Sequence, residues 1–218
     1  MSQLLLFASP TETLLVDEAR GRVTYRPGFV PDDVALAWFA ELRDAVPWKA
    51  QRRHMYDREV DVPRLQAQVD LSADDEPVPD AIRAAADRVI AAMGVPFNSV
   101  GLNFYRDGAD SVAPHSDLDD IVRGSPVALL SLGATRRMMI RAKQPPAHSI
   151  HVDLSAGSLL VMNFESQLHY THGVPKTPAR VGPRISLAFR VRPPRRATDT
   201  QPFAVAPSPP GGHAPGCQ

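Results

Sequence analysis

Between Pro31 and Pro47 the sequence DDVALAWFAELRDAV sets Ala35, Trp38, Phe39, Leu42 and Val46 at helical spacing. That pattern predicts an amphipathic helix with Asp32 as N-cap and Pro47 as its stop. The same period returns over Asp80–Met93, where Ile82, Ala86, Val89, Ile90 and Met93 share a face and Gly94 is placed to end the helix. From residue 97 the period shortens. Runs at Ser99–Tyr105, Val127–Leu132, Arg137–Arg141, Ser149–Leu154, Ser158–Met162 and Arg184–Arg192 predict strands, separated by Pro, Gly, Asn and Asp clusters. Two helices followed by many short strands predict an α+β fold, a β-sandwich or barrel supported by N-terminal helices. Pro47–Arg64 reads as a connection or a probing loop. Periodicity is lost from Pro193 in PPRRATDTQPFAVAPSPPGGHAPGCQ, which is expected to be disordered. The expected organisation is an N-terminal segment (1–30), one domain (31–192) and a tail (193–218).

Composition narrows the choice. With 44% hydrophobic and 22% charged residues in 218, there is material for one packed core. The only cysteine, Cys217, excludes a disulfide framework and any cysteine-based metal site in the core. No apolar run reaches the ~18–20 residues of a membrane span. The opening MSQLLLFASP has no positively charged start of a secretory signal, so a cytoplasmic monomer without membrane contact is expected. Basic and acidic residues balance at 24 each, so net charge does not point to a nucleic-acid partner. Their distribution is uneven: seven basic side chains and no acid lie between Lys176 and Arg196, while five aspartates fall within residues 107–120.

The candidate chemistry begins with His115-Ser-Asp117. In an extended segment residues i and i+2 project to one side, so an imidazole and a carboxylate are presented together. A third donor from a later strand would complete three facial ligands on an octahedral ion, the arrangement of non-haem Fe(II) oxygenases. His148, His151, His169, His172 and His213 are the candidates, and spacing leaves both His169 and His172 open. In Arg184-Ile-Ser-Leu-Ala-Phe-Arg190 the apolar Ile185, Leu187 and Phe189 alternate with Arg184, Ser186, Ala188 and Arg190. Two guanidinium groups and a hydroxyl on one strand face suit a small dianion through paired charge-assisted hydrogen bonds. Likewise Ser99–Tyr105 places Asn103 and Tyr105, an amide and a phenol, on one face.

Taken in order, N-x-Y, H-x-D, a later H and R-x-[NS]-x-x-F-R resemble the AlkB family of Fe(II)/2-oxoglutarate dioxygenases, which repair N-alkylated bases. The resemblance runs from about Val62 to Arg192 and is carried by NFYRDGADSVAPHSDLDD, SPVALLSLGATRRMMIR, GSLLVMNFESQLHYTHGVPK and PRISLAFR. It implies a double-stranded β-helix (jelly-roll) core, Fe(II) as metal, and 2-oxoglutarate and O2 as cosubstrates. It implies His115, Asp117 and His172 as metal ligands, His172 because it precedes Gly-Val-Pro. Asn103, Tyr105, Arg184, Ser186 and Arg190 are implied as 2-oxoglutarate contacts, with Arg184 at the distal carboxylate and Arg190 near the iron-chelating end. Asp119 matches an acidic position that contacts the damaged base, and Arg141 a basic position close to the site. The implied partner is alkylated DNA, with RNA as the variant, its base flipped out of the stack. Arg52, Arg53, Arg58, Arg136, Arg137 and the basic run from Lys176 are candidate phosphate contacts. The sequence departs from the family's pattern twice. Ser186 replaces an asparagine, which should weaken cosubstrate binding. The stretch after Pro63-Arg64, PRLQAQVDLSADDEPVP, lacks the usual aromatic residues and is acidic. That departure motivates an alternative with the same chemistry on a protein side chain or small molecule. A metal- or anion-binding barrel without catalysis is the third reading.

Overall fold

The computed structural model describes residues 11–55, 58–73 and 78–194, the side chains of 53–55 and 58–61 excepted. The tail beyond Pro194, with Arg195, Arg196 and His213, lies outside the described residues, as do the acidic Asp74, Asp75 and Glu76 and the side chains of Arg53 and Arg58.

Helix α1 (Asp32–Ala45) follows the apolar stripe, with Ala35, Phe39 and Leu42 buried. Its start differs from the expectation. Pro31 occupies the N-cap position in an extended conformation, so Asp32 falls inside the first turn, where its charge favours the positive end of the helix dipole. Helix α2 (Asp80–Met93) ends as its sequence predicts: Gly94 adopts φ 64° and its N–H donates to the Ile90 carbonyl. A non-glycine residue would be strained there.

The strands are β1 (Thr13–Glu18), β2 (Gly21–Arg26), β3 (Lys49–Met55), β4 (Arg58–Asp70), β5 (Ser99–Tyr105), β6 (Val112–His115), β7 (Val127–Gly133), β8 (Arg136–Ala142), β9 (Ser149–Leu154), β10 (Leu159–Met162), β11 (Tyr170–Val174) and β12 (Arg184–Arg190). They build two antiparallel sheets. The larger has the order β1-β2-β10-β7-β12-β5-β4-β3 and the smaller β6-β11-β8-β9. Helix α3 (Phe164–His169), capped by Asn163 accepting from the Ser166 N–H, links β10 to β11 across the two sheets. This is the jelly-roll sandwich expected from the motifs. The boundary drawn at residue 30 falls between β2 and α1, and β2 pairs with β10, so both N-terminal strands belong to the large sheet. Pro47–Arg64 is not a simple connection but most of the β3–β4 hairpin.

Two cores hold the layers together. One packs α1 and α2 on the outer face of the large sheet through Phe39, Leu42, Ile82, Val89, Leu102, Ile185, Leu187 and Phe189. Burying one such side chain completely contributes about 2 kcal/mol. The other fills the space between the sheets with Leu129, Met138, Ile140, Val152, Leu154, Leu160 and Tyr170. Strand alternation decides the partition: on β12 the apolar residues face the helices and Arg184, Ser186, Ala188 and Arg190 face inward. Among the described residues, no helix is long and apolar enough to cross a membrane.

Candidate metal centre

Between the sheets a cavity of about 1120 Å³ opens, with His115, Asp117, His172, Asn103, Ser186 and Arg190 on its wall. His115 ends β6 and lies directly opposite His172 in the β6–β11 pair. Gly173 permits this pairing, since a Cβ there would stand 2.9 Å from the Val112 carbonyl oxygen. Asp117 follows on the turn after β6. The ring centroids of the two histidines are 4.4 Å apart, and one ligand atom from each of the three residues lies within 4.8 Å of the others. His172 Nε2 is 3.4 Å from Asp117 Oδ2 and His115 Nε2 is 3.9 Å from Oδ1. The Ala113 carbonyl, 3.0 Å from His115 Nδ1, accepts that N–H, and the other ring nitrogen, Nε2, faces Asp117.

The two oxygens of Asp117 are treated differently. Oδ1 accepts from Arg190 Nη2 at 2.8 Å, while Oδ2 is buried without a hydrogen-bond partner. An orphaned buried carboxylate oxygen 3.4 Å from the His172 imidazole, with the His115 imidazole beside the same carboxylate, is the donor set a divalent cation requires. Burial alone would raise the Asp117 carboxyl, but Arg190, His172 and His115 outweigh it and hold the group below the ordinary carboxylate range. His172 is pushed down to about 4, chiefly by burial against the opposing pull of Asp117, so it presents a neutral imidazole at neutral pH.

Gln167 and Lys143 lock the turn from behind. Gln167 Oε1 accepts from the Asp117 backbone N–H at 3.0 Å, and Lys143 Nζ donates to the Gln167 carbonyl at 2.8 Å and to Ser116 Oγ at 3.2 Å. Neither residue stood out in the sequence. Gln167 lies in a helix of six residues, too short to show periodicity.

On the large sheet, Gln66, Asn103, Ser186 and Ser131 form one row across four adjacent strands. Asn103 Oδ1 accepts from Arg64 Nε at 2.6 Å and from Gln66 Nε2 at 3.2 Å, which turns its amide NH2 away from them. Arg64 and Gln66 were also missed, although Leu65, Ala67 and Val69 alternate with them as in any half-buried strand. Arg184 is fully buried. Its Nη2 donates to Ser131 Oγ at 2.9 Å and its Cζ lies 5.1 Å from the centroid of the Tyr105 ring, but Nε and Nη1 have no partner. Burial pushes this guanidinium below its ordinary value. A buried cation with two nitrogens lacking a hydrogen-bond partner and, among the described residues, no carboxylate in ion-pair distance fits an anionic cosubstrate.

Other candidates lie elsewhere. Asp119 is exposed on the short 3-10 turn Leu118–Asp120 and makes no part of the triad. Arg141 is exposed on β8 opposite Thr171, whereas His172 and its partner Ile140 point inward, so Arg141 projects from the outer face of the small sheet. His151 is exposed, and His169 ends α3 outside the cluster. Arg136 is not a phosphate contact. It is buried and donates to the carbonyls of Asp107, Asp110 and Pro175 at 2.8–2.9 Å. Arg137 is paired with Asp153 on the surface. Within the acidic stretch, Asp110 is buried and held by Arg106 through its backbone and side-chain N–H groups.

The comparisons agree with this geometry. In structure, the chain is similar to a crystal structure of a Pseudomonas putida prolyl-4-hydroxylase, with a TM-score of 0.51, 17% identity and coverage of 78% of this chain and 93% of that one, a likeness of fold. In sequence, it is 35% identical over 193 residues to the Homo sapiens alpha-ketoglutarate-dependent dioxygenase alkB homolog 3, covering 78% of this chain. It is 35% identical over 122 residues to the Homo sapiens DNA oxidative demethylase ALKBH2, covering 52% of this chain and 46% of that protein. The chain spans 65% of the length of alkB homolog 3. A match to the 2OG-Fe(II) oxygenase superfamily covers residues 22–190, from β2 to the last residue of β12. Since that stretch carries the small sheet, every strand of the large sheet but β1, and every residue of the polar row and triad, the chain belongs to this superfamily, whose metal is Fe(II) and whose cosubstrates are 2-oxoglutarate and O2.

Proposed function

We propose that the protein is an AlkB-type dioxygenase that oxidatively removes N-alkyl groups from damaged bases in DNA, with RNA as the variant substrate, releasing formaldehyde, succinate and CO2. The observation that carries this reading is the convergence of His115, His172 and the unpaired Oδ2 of Asp117 on one cavity that also holds Asn103 and Arg190. Similarity to AlkB homologues supports the substrate class. The oxygenase domain is read as residues 31–192, with β1 and β2 extending its large sheet. A monomeric, cytoplasmic protein belongs to the same reading.

In this reading His115, Asp117 and His172 hold Fe(II), which together with 2-oxoglutarate and O2 supplies hydroxylation of a substrate C–H bond. The rest is the work of the chain. Arg190 keeps one Asp117 oxygen occupied, so the carboxylate offers the other. Asn103, its amide oriented by Arg64 and Gln66, presents N–H donors to a carboxylate. Tyr105, Ser186 and the buried guanidinium of Arg184 complete the anion-binding end. Met138, Leu129 and Val174 on the cavity wall keep the site apolar where a base would enter. Lys49 and Lys176, exposed cations on the same wall, suit a nucleic-acid backbone. Asp119, two residues past Asp117, is placed by the same reading at the edge of the base. Arg141, on the outer sheet face, is given no role.

The test is an assay of methylated single- and double-stranded oligonucleotides for formaldehyde and succinate together. Both products are expected from the wild type and neither from Asp117→Ala. Succinate without base repair would move the substrate to a protein side chain or small molecule. No succinate under any condition would leave a barrel that only binds a metal or anion.

A further inference from the structure

Gly101 stands in the middle of β5 without a left-handed φ that would call for glycine. A glycine inside a strand weakens it and usually marks the close approach of another group. Here the group is Arg190. A Cβ at position 101 would lie 2.7 Å from Arg190 Nη1 and 3.8 Å from its Cζ. The register explains the approach. Arg190 sits opposite Ser99, and the next inward-facing pair along the two strands is Gly101 with Ala188. Two small residues side by side leave a trough on the sheet floor, and the Arg190 side chain runs along it. At its end, Nη2 reaches Asp117 Oδ1 at 2.8 Å, while Nε stays buried without a partner. Arg190 is 9% exposed and borders the cavity, so a guanidinium displaced from the trough would move toward the cavity and away from its 2.8 Å contact with Asp117.

We propose that Gly101 is a positioning residue: the missing side chain lets Arg190 lie across β5, hold Asp117 by one oxygen and leave the other for the metal. This rests on the metal-centre reading above. Partners of this kind fix the orientation of ligating groups, and their loss costs about 10- to 100-fold in metal affinity.

The experiment titrates Co(II) into the metal-free protein and follows its d–d absorption in wild type, Asp117→Asn, Gly101→Ala, Arg190→Ala and the double variant Gly101→Ala/Arg190→Ala. Gly101→Ala is expected to weaken binding about 10-fold, as is Arg190→Ala. The double variant is expected to bind within about two-fold of Arg190→Ala alone, because residues acting through one contact are not additive. Losses that multiply in the double variant would overturn the proposal, as would wild-type affinity in Gly101→Ala. Should Gly101→Ala fail to fold, the double variant, which removes the obstructed guanidinium, must fold again; continued misfolding would overturn it too. Wild-type protein that binds no better than Asp117→Asn would overturn the metal-centre reading itself.

Discussion

A histidine that is to bind a cation must stay unprotonated, and His172 does so because it is buried between the sheets. Its value of about 4 lies below the ordinary 6.5. Between those two values the unfolded chain binds a proton that the folded chain refuses, so stability rises with pH across this window. Acidifying the metal-free protein from pH 6.5 to 4 should therefore cost up to about 3 kcal/mol from this group. Asp117 acts in the same direction, since its lowered value means that stability present above the unfolded range is lost as pH falls through the folded one. Urea denaturation of metal-free protein at pH 7 and pH 5 measures the slope. In His172→Gln the slope should flatten; an unchanged slope would assign the acid sensitivity to other groups.

At the scale of elements, the strands owe their placement to side chains that no periodicity announces. Arg136 at the start of β8 ties three carbonyls from two segments, Asp107 and Asp110 after β5 and Pro175 after β11. Those segments lead into His115 and away from His172. Arg136→Met would strand three carbonyls whose bonds were charge-assisted, a loss of about 2–4 kcal/mol. Thermal unfolding measures it, and a change under about 0.5 kcal/mol, the scale of a surface substitution, would show that the bonds do not hold the loops. α1, α2, β5, β9 and β12 were legible because each combines a clean period with a proline, glycine or polar boundary, and β7, β8 and β10 because each is a short apolar-rich run between turn residues. β3 and β4 were not, because one face of β4 carries Arg64, Gln66 and Gln68 and the hairpin continues into acidic residues. β6 is four residues long and contains Pro114. Spacing left His169 and His172 open, whereas pairing separates them: His172 sits opposite His115, and His169 belongs to α3. The arginines of one short stretch likewise part ways only in three dimensions, with Arg184 and Arg190 inside, Arg180 exposed and Arg192 paired with Asp120.

For the molecule as a whole, the two sheets surround groups that the fold alone would not choose. Among the described residues, the buried side-chain atoms without partners include Asp117 Oδ2, Arg184 Nε and Nη1, and Arg190 Nε, all on the inner side of the sandwich. Each of these atoms lacks the hydrogen bond that would offset its own desolvation, which opposes folding. The helix-backed core supplies the stability that makes this tolerable: Leu42, Ile82, Val89, Leu130, Leu132, Leu187 and Phe189 are at most 5% exposed. Arg184 is the extreme case, a guanidinium at 0% exposure whose Nη2 donates to a serine hydroxyl and whose Cζ lies 5.1 Å from the Tyr105 ring centroid. Its retention makes sense if a carboxylate completes it. Stability and binding should then move in opposite directions on substitution. Arg184→Met keeps most of the volume and removes the buried charge, so the ligand-free protein should become more stable by about 1–3 kcal/mol. The same change should weaken 2-oxoglutarate binding by more than about 10-fold, because a buried charge-assisted pair is lost. Thermal melts of metal-free protein, set beside 2-oxoglutarate titration of the Co(II)-loaded form, separate the two effects. A variant that loses stability and binding together would mean that Arg184 serves the packing of the sandwich, and the anion site would have to be sought among the residues that line the cavity, such as Asn103 and Ser186.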